Sequence, residues 1–376
     1  MDTLFIYNKS VNGQDFIGRD SEINQLFGSI KDKLEKKSTL NPVLYAPPKS
    51  GKNSLIEVVI DKLSKNNTLF TLTQINLFNV RTEKLLLKKI CSNILDSHGV
   101  IKEQQQIVIA ELAPLAEPFF IKSGNADIDH LPVDDKIIEQ VFDLPDRIAQ
   151  EYGTNPLIYI QEFQEILLFD DSYKILKILE RVISKHTNVC YIISGSLVNA
   201  MKSIFEEQKF FYGSVKRIEL NPLGLRESVQ FLNKAFLKTG RVISPQLATK
   251  LYNYVDGDPW YLQQLGELSY SSTRGFLTEG VLKQAFDCLM ELHSYRFRMI
   301  TSRLTRYQIS FIKAILDNNL QLCSSETMIK YGFNSSANVK RLRDAVKKKE
   351  LLTQQQDEWI FLDPLFKKWL KEVYFN

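Results

Sequence analysis

Short apolar runs alternate with longer amphipathic stretches through the first two hundred residues. Runs of four or five apolar residues are typical of buried strands, and they occur at 43–46, 157–160 and 189–193, with weaker strand patterns at 68–77 and 217–220. Apolar residues near a 3.6-residue period predict helices, at 52–63, 82–95 and 173–186. This alternation predicts an α/β fold with a parallel sheet covered by helices.

The strand pattern stops near residue 222, and the remaining chain is predicted to be mainly helical. A first group of helices is predicted at 224–237, 244–254, 259–270 and 278–295. A second group follows at 305–316, 325–331 and 335–349, with a hairpin at 351–361 and a helix from Pro364. Three helices and a small ribbon are typical of a winged helix-turn-helix. We therefore predict three domains, residues 1–221, 222–296 and 297–376, and make no prediction for the structure of 101–135.

A phosphate-binding loop is predicted where the first strand meets the first helix of the sheet. The segment Ala46-Pro-Pro-Lys-Ser-Gly-Lys-Asn-Ser has the strand–loop–helix context of a Walker A motif. Main-chain N–H groups of such a loop bind phosphate, and Lys52 adds a positive charge. The candidate phosphate-binding residues are Pro48, Lys49, Ser50, Gly51, Lys52, Asn53 and Ser54. The alternative is an accidental Gly-Lys dipeptide at a helix start.

Two further candidates follow the other central strands. Leu157-Ile-Tyr-Ile-Gln-Glu resembles a Walker B strand, which makes Glu162 the candidate catalytic base for an attacking water. The alternative for Glu162 is a carboxylate that only stabilises a helix N-terminus. Ser194, at the end of the third strand, is a candidate contact to the terminal phosphate, although Ser-Gly-Ser is also a common turn.

Both positions that normally bind Mg²⁺ carry an amide in this sequence. Asn53 occupies the usual hydroxyl position of the loop, and Gln161 occupies the carboxylate position of the strand. A neutral amide is a weak ligand for a hard cation, and phosphoryl transfer depends on that cation. We expect binding of ATP or ADP to persist, Mg²⁺ binding to be weakened, and hydrolysis to be slow or absent.

Taken together, these motifs resemble an archaeal and bacterial P-loop ATPase family of the STAND branch, related to AAA+ proteins. Phe16-Ile-Gly-Arg is similar to the family's N-terminal motif, which implies that Phe16, Ile17, Gly18 and Arg19 contact adenine. Gly257-Asp-Pro resembles its G-x-P motif, which implies that Pro259 approaches the nucleotide from a helical lid domain.

The resemblance also covers the winged helix and Gln161-Glu-Phe-Gln, which differs from the usual Asp-Glu-Phe-Gln only at its first residue. It implies switch-like behaviour and, because such chains are familiar from Bacteroidetes, a bacterial source. Tyr212-Gly-Ser lacks the arginine that many members carry after the glycine, and Arg217 is a nearby alternative.

The charge is concentrated at the C-terminal end. Residues 296–376 hold 15 Lys/Arg and 8 Asp/Glu, a net charge of 15 − 8 = +7. The third helix of the winged domain contains the candidate DNA contacts Lys340, Arg341, Arg343 and Lys347. Intramolecular packing or a protein partner are the alternatives for this helix.

The composition argues against several other classes of protein. The four cysteines are far apart, so neither a zinc site nor a disulfide framework is expected. No apolar run reaches the length of a membrane span, and we expect a cytoplasmic protein without a membrane partner. The leading functional hypothesis is an adenine-nucleotide-binding switch. The alternatives are a slow ATPase and a DNA-binding regulator with a vestigial nucleotide domain.

Overall fold

The computed structural model describes residues 5–11, 13, 16–98, 134–238, 240–319, 321–356 and 358–376. The chain forms two compact units. The sheet unit comprises Asp20–Ala46 and Leu55–Leu220, and the helical unit comprises Met1–Arg19, Pro47–Ser54 and Asn221–Asn376. Almost all of the segment 101–135, for which the sequence made no prediction, lies outside the described residues.

A five-stranded parallel sheet forms the centre of the sheet unit. Its strands are β1 (Asn41–Tyr45), β2 (Thr71–Asn76), β3 (Pro156–Gln161), β4 (Cys190–Gly195) and β5 (Val215–Ile218). The strand order is β2-β3-β4-β1-β5, and all neighbouring strands are parallel. Strand β4 therefore separates the strand before the phosphate loop from the strand before Glu162. The carboxyl ends of all five strands lie at one edge of the sheet.

Helices cover the sheet, as the alternating pattern predicted. They are α1 (Asp20–Leu34), α2 (Lys52–Lys65), α3 (Glu83–Ser97), α4 (Asp135–Tyr152), α5 (Ser172–Ile183) and the short α6 (Val198–Lys202). Every residue of β1 and β4 is buried. A sheet covered on both faces has continuous apolar strands because neither face is in contact with water.

The helical unit begins with four helices that share one apolar core. They are α7 (Leu225–Leu237), α8 (Pro245–Tyr254), α9 (Pro259–Ser271) and α10 (Glu279–Ser302). Side chains cap three of their N-termini, where Ser244, Asp258 and Thr278 accept main-chain N–H groups. Phe5 from the N-terminal segment enters the same core and is 1% exposed. Its ring packs against Gly266, where an added Cβ would lie 2.5 Å from it.

A winged helix-turn-helix completes the helical unit. It contains α11 (Arg306–Leu316), α12 (Ser325–Tyr331), α13 (Ser336–Lys348), the antiparallel hairpin β6 (Leu352–Gln355) and β7 (Glu358–Phe361), and α14 (Pro364–Trp369). Val339, Leu342 and Val346 are buried on α13, which confirms the predicted apolar side of this helix.

Helix α10 extends beyond its predicted end. The sequence predicted a helix at 278–295, but the helix continues to Ser302. Phe297 is fully buried against Phe366 and Trp369, and the Trp369 indole donates a hydrogen bond to Ser294. The predicted boundary at 296/297 thus falls inside one continuous helix, and the three-domain division stays a prediction. No helix among the described residues is long and apolar enough to cross a membrane.

Candidate functional site

The loop between β1 and α2 has the main-chain geometry of an anion cradle. Lys49 and Gly51 have positive φ angles of 66° and 90°. The N–H of Ser50 donates to the carbonyl of Pro47 at 3.3 Å, and α2 begins at Lys52. A Cβ at Gly51 would meet nothing nearer than the Arg19 Nε, at 4.0 Å. Glycine is therefore favoured here by the backbone angle rather than by crowding.

Lys52 directs its ammonium group into this loop. The side chain is 7% exposed, and its Nζ donates to the Pro47 carbonyl at 2.9 Å and to the Ser50 hydroxyl at 3.4 Å. The first turn of α2 contains no acidic residue. A cation, neutral acceptors and the N-terminus of a 14-residue helix together suit a phosphate group. The donor set of the loop therefore fits the predicted nucleotide.

Arg19 connects the N-terminal motif to the phosphate loop. Its guanidinium donates to the carbonyl of Ser50 at 3.0 Å and to the carbonyl of Asn221 at 2.9 Å, and the side chain is 8% exposed. Phe16 and Ile17 are half-buried, and Ile17 packs on the core of the helical unit. Gly18 has a φ of 58° beside the side chain of Glu227. The guanidinium of Arg19 is thus used to hold the loop.

The G-x-P segment lies in the same unit and is tightly constrained. Gly257 has a φ of 71°, and a Cβ there would lie 2.9 Å from the Leu223 carbonyl. Asp258 caps α9 by accepting the N–H groups of Trp260 at 2.9 Å and Tyr261 at 3.0 Å. Pro259 is the first residue of this helix.

Asp258 binds a proton more tightly than an ordinary aspartate. Burial raises the pKa of Asp258 to about 7, and the nearby charge of Asp363 acts in the same direction. The two main-chain hydrogen bonds and the charge of Arg19 oppose this increase. Arg19 therefore acts on both the phosphate loop and the G-x-P segment.

A polar cluster links the start of α9 to the start of α14. The Tyr261 hydroxyl donates to the Asp363 carboxylate at 3.0–3.1 Å, and the Arg296 guanidinium donates to the same carboxylate at 2.7 Å. Arg296 also donates to the Tyr261 hydroxyl. Asp363 in turn caps α14 by accepting the N–H of Phe366 at 2.9 Å. Tyr261, two positions after Pro259, is therefore hydrogen-bonded directly to a residue of the winged helix.

Glu162 follows β3 in the sheet unit and is held by two side chains. Its φ is 54°, a conformation that is uncommon outside glycine, and its carboxylate accepts from the Ser196 hydroxyl and from the Gln164 amide at 2.7 Å. The hydrogen bonds from Ser196 and Gln164 fix the orientation of the Glu162 carboxylate.

The two serines at the carboxyl end of β4 differ in position, because Ser194 lies within the strand and Ser196 follows it. Ser194, the residue selected from the sequence, is 2% exposed, and its hydroxyl donates to Tyr159 at 3.2 Å. Ser196, which the sequence analysis missed, contacts Glu162. Gly195 between them allows close packing, because a Cβ there would lie 2.5 Å from the Gln164 Oε1. The Ser-Gly-Ser motif contains Ser196 as its second serine, so the sequence offered this residue as a second candidate.

The two amide residues at the predicted metal positions, Asn53 and Gln161, are both at least partly exposed to solvent. Asn53 is exposed on α2, and Gln161 is the half-buried last residue of β3. In the part of the chain that the structure describes, no group of three or more His, Cys, Asp or Glu side chains is arranged to hold a metal ion. Arg217, the alternative phosphate contact, is paired with Glu206 and lies over the ring of Tyr45.

The predicted DNA contacts lie on one helix but differ in exposure. Lys340 and Arg341 are exposed on α13, whereas Arg343 and Lys347 are half-buried. Lys340 and Arg343 line a cavity of about 420 Å³, together with Gln354 and Trp359 from the hairpin. Ser335 caps α13 by accepting the N–H of Asn338 at 3.2 Å.

Comparison with known families agrees with this architecture. A family described as an ATPase domain predominantly from Archaea matches residues 16–265, and a probable winged helix domain matches residues 295–372. No curated protein matches the chain.

Two solved structures share the fold over nearly the whole chain. The Walker-type ATPase PABY2304 of Pyrococcus abyssi is 17% identical, with a TM-score of 0.67 over 98% of this chain and 99% of that protein. The Aeropyrum pernix ORC2 protein, solved as ADPNP–ADP complexes, is 14% identical, with a TM-score of 0.55 over 99% of this chain and 96% of that protein. The findings confirm the predicted fold class, a P-loop ATPase core followed by a helical region and a winged helix.

The proton on Asp258 predicts a pH-dependent contribution to stability. Because the folded state raises this pKa from 3.8 to about 7, the contribution is complete below about pH 4 and is lost as the pH rises to about 7. Asp258→Asn keeps a capping oxygen but cannot titrate. The free energy of unfolding of the wild type, measured with urea between pH 4 and pH 7.5, should therefore fall relative to this variant by about 2 kcal/mol or more.

Asp256→Asn provides the matched control, because Asp256 is exposed and pairs with Lys368 at the surface. Its pH profile should follow the wild type. Parallel profiles for the wild type and Asp258→Asn would contradict the assignment of the buried proton to Asp258.

Proposed function

The chain belongs to the family of ATPase domains found predominantly in Archaea, and from this membership we propose that it is an adenine-nucleotide-binding switch. The observation that carries the proposal is the Lys52 ammonium inside a loop of left-handed backbone geometry at a helix N-terminus. The assignment to the STAND branch and a bacterial source are part of the same proposal. They rest on the N-terminal and G-x-P motifs.

The nucleotide is proposed to bind through its phosphates to the loop and Lys52. Charge-assisted hydrogen bonds from the ammonium, which lies beside the Pro47 carbonyl and the Ser50 hydroxyl, to phosphate oxygens favour this binding. Arg19 positions the loop through the carbonyl of Ser50, while Phe16, Ile17 and Pro259 are proposed to contact the nucleoside. ADP and the non-hydrolysable ADPNP are bound by the Aeropyrum pernix ORC2 protein, which shares this fold.

Turnover is proposed to be slow because the chain supplies amides where Mg²⁺ ligands are needed. Mg²⁺ would neutralise the charge that develops on the transferring phosphoryl group. Asn53 and Gln161 replace the hydroxyl and carboxylate that would anchor it. Glu162 remains as the base for water, and the hydrogen bonds from Ser196 and Gln164 keep its carboxylate in a fixed orientation.

The switch is proposed to act through the polar cluster at Tyr261. A nucleotide that contacts Pro259 would change the position or rigidity of the first turn of α9. Tyr261 lies in that turn and bonds to Asp363, the cap of the winged-helix segment α14. The nucleotide shifts the equilibrium only if its affinity differs between the two arrangements of this cluster.

A second candidate function is DNA binding by the winged helix. The observation that favours it is the pair Lys340 and Arg343 beside Trp359, on the helix that enters the major groove in helix-turn-helix proteins. In this hypothesis the nucleotide domain is vestigial.

Removal of the Lys52 ammonium should abolish most nucleotide affinity. Lys52→Ala is expected to weaken ADP and ATP binding at least about tenfold in calorimetric titrations, because a charge-assisted hydrogen bond contributes roughly 1.5–3 kcal/mol. Lys65→Ala removes an exposed lysine from the same helix and should bind as the wild type does. Failure of the wild type to bind either nucleotide, with or without Mg²⁺, would refute the proposed function.

Restoration of the metal ligands should raise turnover. The variant Asn53→Thr with Gln161→Asp is expected to release phosphate from ATP at least about tenfold faster than the wild type. Adding Glu162→Gln should return the rate to background, because the base is then missing. If the double variant binds ATP and Mg²⁺ but its rate is unchanged, loss of the metal is not the cause of slow turnover.

DNA binding predicts a strong dependence on salt. The variant Lys340→Ala with Arg343→Ala should weaken duplex binding at least about tenfold, and it should lower the slope of log K against log salt by about two. Lys36→Ala with Lys37→Ala removes the same charge from the sheet unit and should have no such effect. Absent or salt-independent binding would exclude this function.

A further inference from the structure

Helix α10 carries an apolar ridge on the side that faces away from its core. The buried side includes Leu282, Phe286, Leu289 and Phe297. The opposite side carries Cys288, Leu292, Tyr295 and Met299, and all four are exposed. Their spacing of four, three and four residues places them on one line along the helix, about 16 Å long.

The ridge brings several exposed apolar side chains together. Leu292, Tyr295 and Met299 are 64%, 75% and 38% exposed. Single exposed apolar residues are normal, whereas a contiguous group of them marks an interaction site. A helix with one apolar side in the core and a second on the surface buries both only when a further surface packs against the second side.

Charges beside the ridge indicate what covers it. Glu291 and Arg298 are both exposed, and they lie on the same flank of the ridge, two helical turns apart. Consider two antiparallel copies of α10 related by a twofold axis that passes beside Tyr295. The flank with Glu291 and Arg298 then faces the same flank of the other copy, and the two flanks run in opposite directions. Glu291 of each copy then lies within about 1.5 Å, along the helix axis, of the level of Arg298 of the other, which gives two ion pairs.

The apolar residues match in the same arrangement. Leu292 of one copy lies within about 1.5 Å, along the helix axis, of the level of Met299 of the other, and the two Tyr295 rings meet at the axis. In a parallel pair, each residue would instead lie level with the same residue of the other copy. Glu291 of one copy and Arg298 of the other would then lie on opposite sides of the helix pair. The sequence of α10 is therefore complementary to itself in the antiparallel orientation.

We propose that a second copy of this chain packs against the ridge, with the two α10 helices antiparallel. The interface is isologous, since the same surface is used by both copies. One helix face buries less than a standard interface of about 1,600 Å², so the dimer dissociates in the micromolar range. The inference is independent of nucleotide binding.

Disulfide trapping tests both the contact and its orientation. In the antiparallel pair, Cys288 lies level with Ser302 of the other copy, and both are exposed. Cys323 is the other exposed cysteine and is first replaced in Cys323→Ser. Adding Ser302→Cys should then give a covalent dimer under mild oxidation, with a Cys288-to-position-302 cross-link identified by peptide mass spectrometry.

The matched control adds Cys288→Ser to the same chain and should remove that cross-link. A cross-link between two Cys288 residues in the Cys323→Ser chain, without Ser302→Cys, would overturn the antiparallel arrangement. Absence of any covalent dimer would overturn the contact.

Sedimentation of the full chain gives an independent measurement. The wild type should dimerise at about 100 μM, and Tyr295→Glu should weaken the dimer at least about tenfold, because it places two carboxylates at the axis. Glu291→Arg should weaken it about fivefold, and Glu291→Arg with Arg298→Glu should restore it. Leu69→Glu, at an 82% exposed position of the sheet unit, should have no effect.

A wild type that stays monomeric at about 200 μM would refute the proposal. So would a dimer that Tyr295→Glu does not weaken. A double charge reversal that fails to restore the dimer would show that Glu291 and Arg298 are not partners across the axis.

Discussion

The ammonium of Lys52 is held inside the loop, where it donates to the Pro47 carbonyl and the Ser50 hydroxyl, and the proposed nucleotide site depends on this contact. Two residues with positive φ bend the loop, and the guanidinium of Arg19 holds it through the carbonyl of Ser50. The same ammonium and the main-chain N–H groups of the loop are the kinds of donor that phosphate oxygens accept from in charge-assisted hydrogen bonds.

The chain has this cradle but carries amides at the two positions that we propose as the altered metal ligands. Asn53 and Gln161 stand where the predicted motifs have a hydroxyl and a carboxylate, the groups that suit Mg²⁺. Phosphate binding depends on N–H groups and Lys52, whereas transfer depends on the metal. In such a site, binding and turnover are separable, and a protein that binds without rapid turnover is suited to report nucleotide state.

Helix α10 gives the helical unit its continuity. Its buried side contributes Phe297 to the contact with Phe366 and Trp369, so the region before residue 296 and the winged helix share one core. The Tyr261–Arg296–Asp363 cluster adds directional bonds to this apolar contact. Its exposed ridge leaves the opposite side of the same helix available to a second chain. The G-x-P segment, the winged helix and the ridge are thus parts of one packed unit.

The sequence by itself determined the parallel sheet, the loop with Lys52, the strand before Glu162 and the winged helix, because each depends on local periodicity or on residues close in the chain. It also predicted the apolar side of α13. It ended α10 too early, since the reason for its continuation is burial of Phe297 against residues about 70 positions later. Tertiary structure alone decided that β4 lies between β1 and β3, that Ser196 rather than Ser194 contacts Glu162, and that Tyr261 bonds to Asp363. Such contacts join residues that are distant in sequence, and no local pattern specifies which distant side chains will meet.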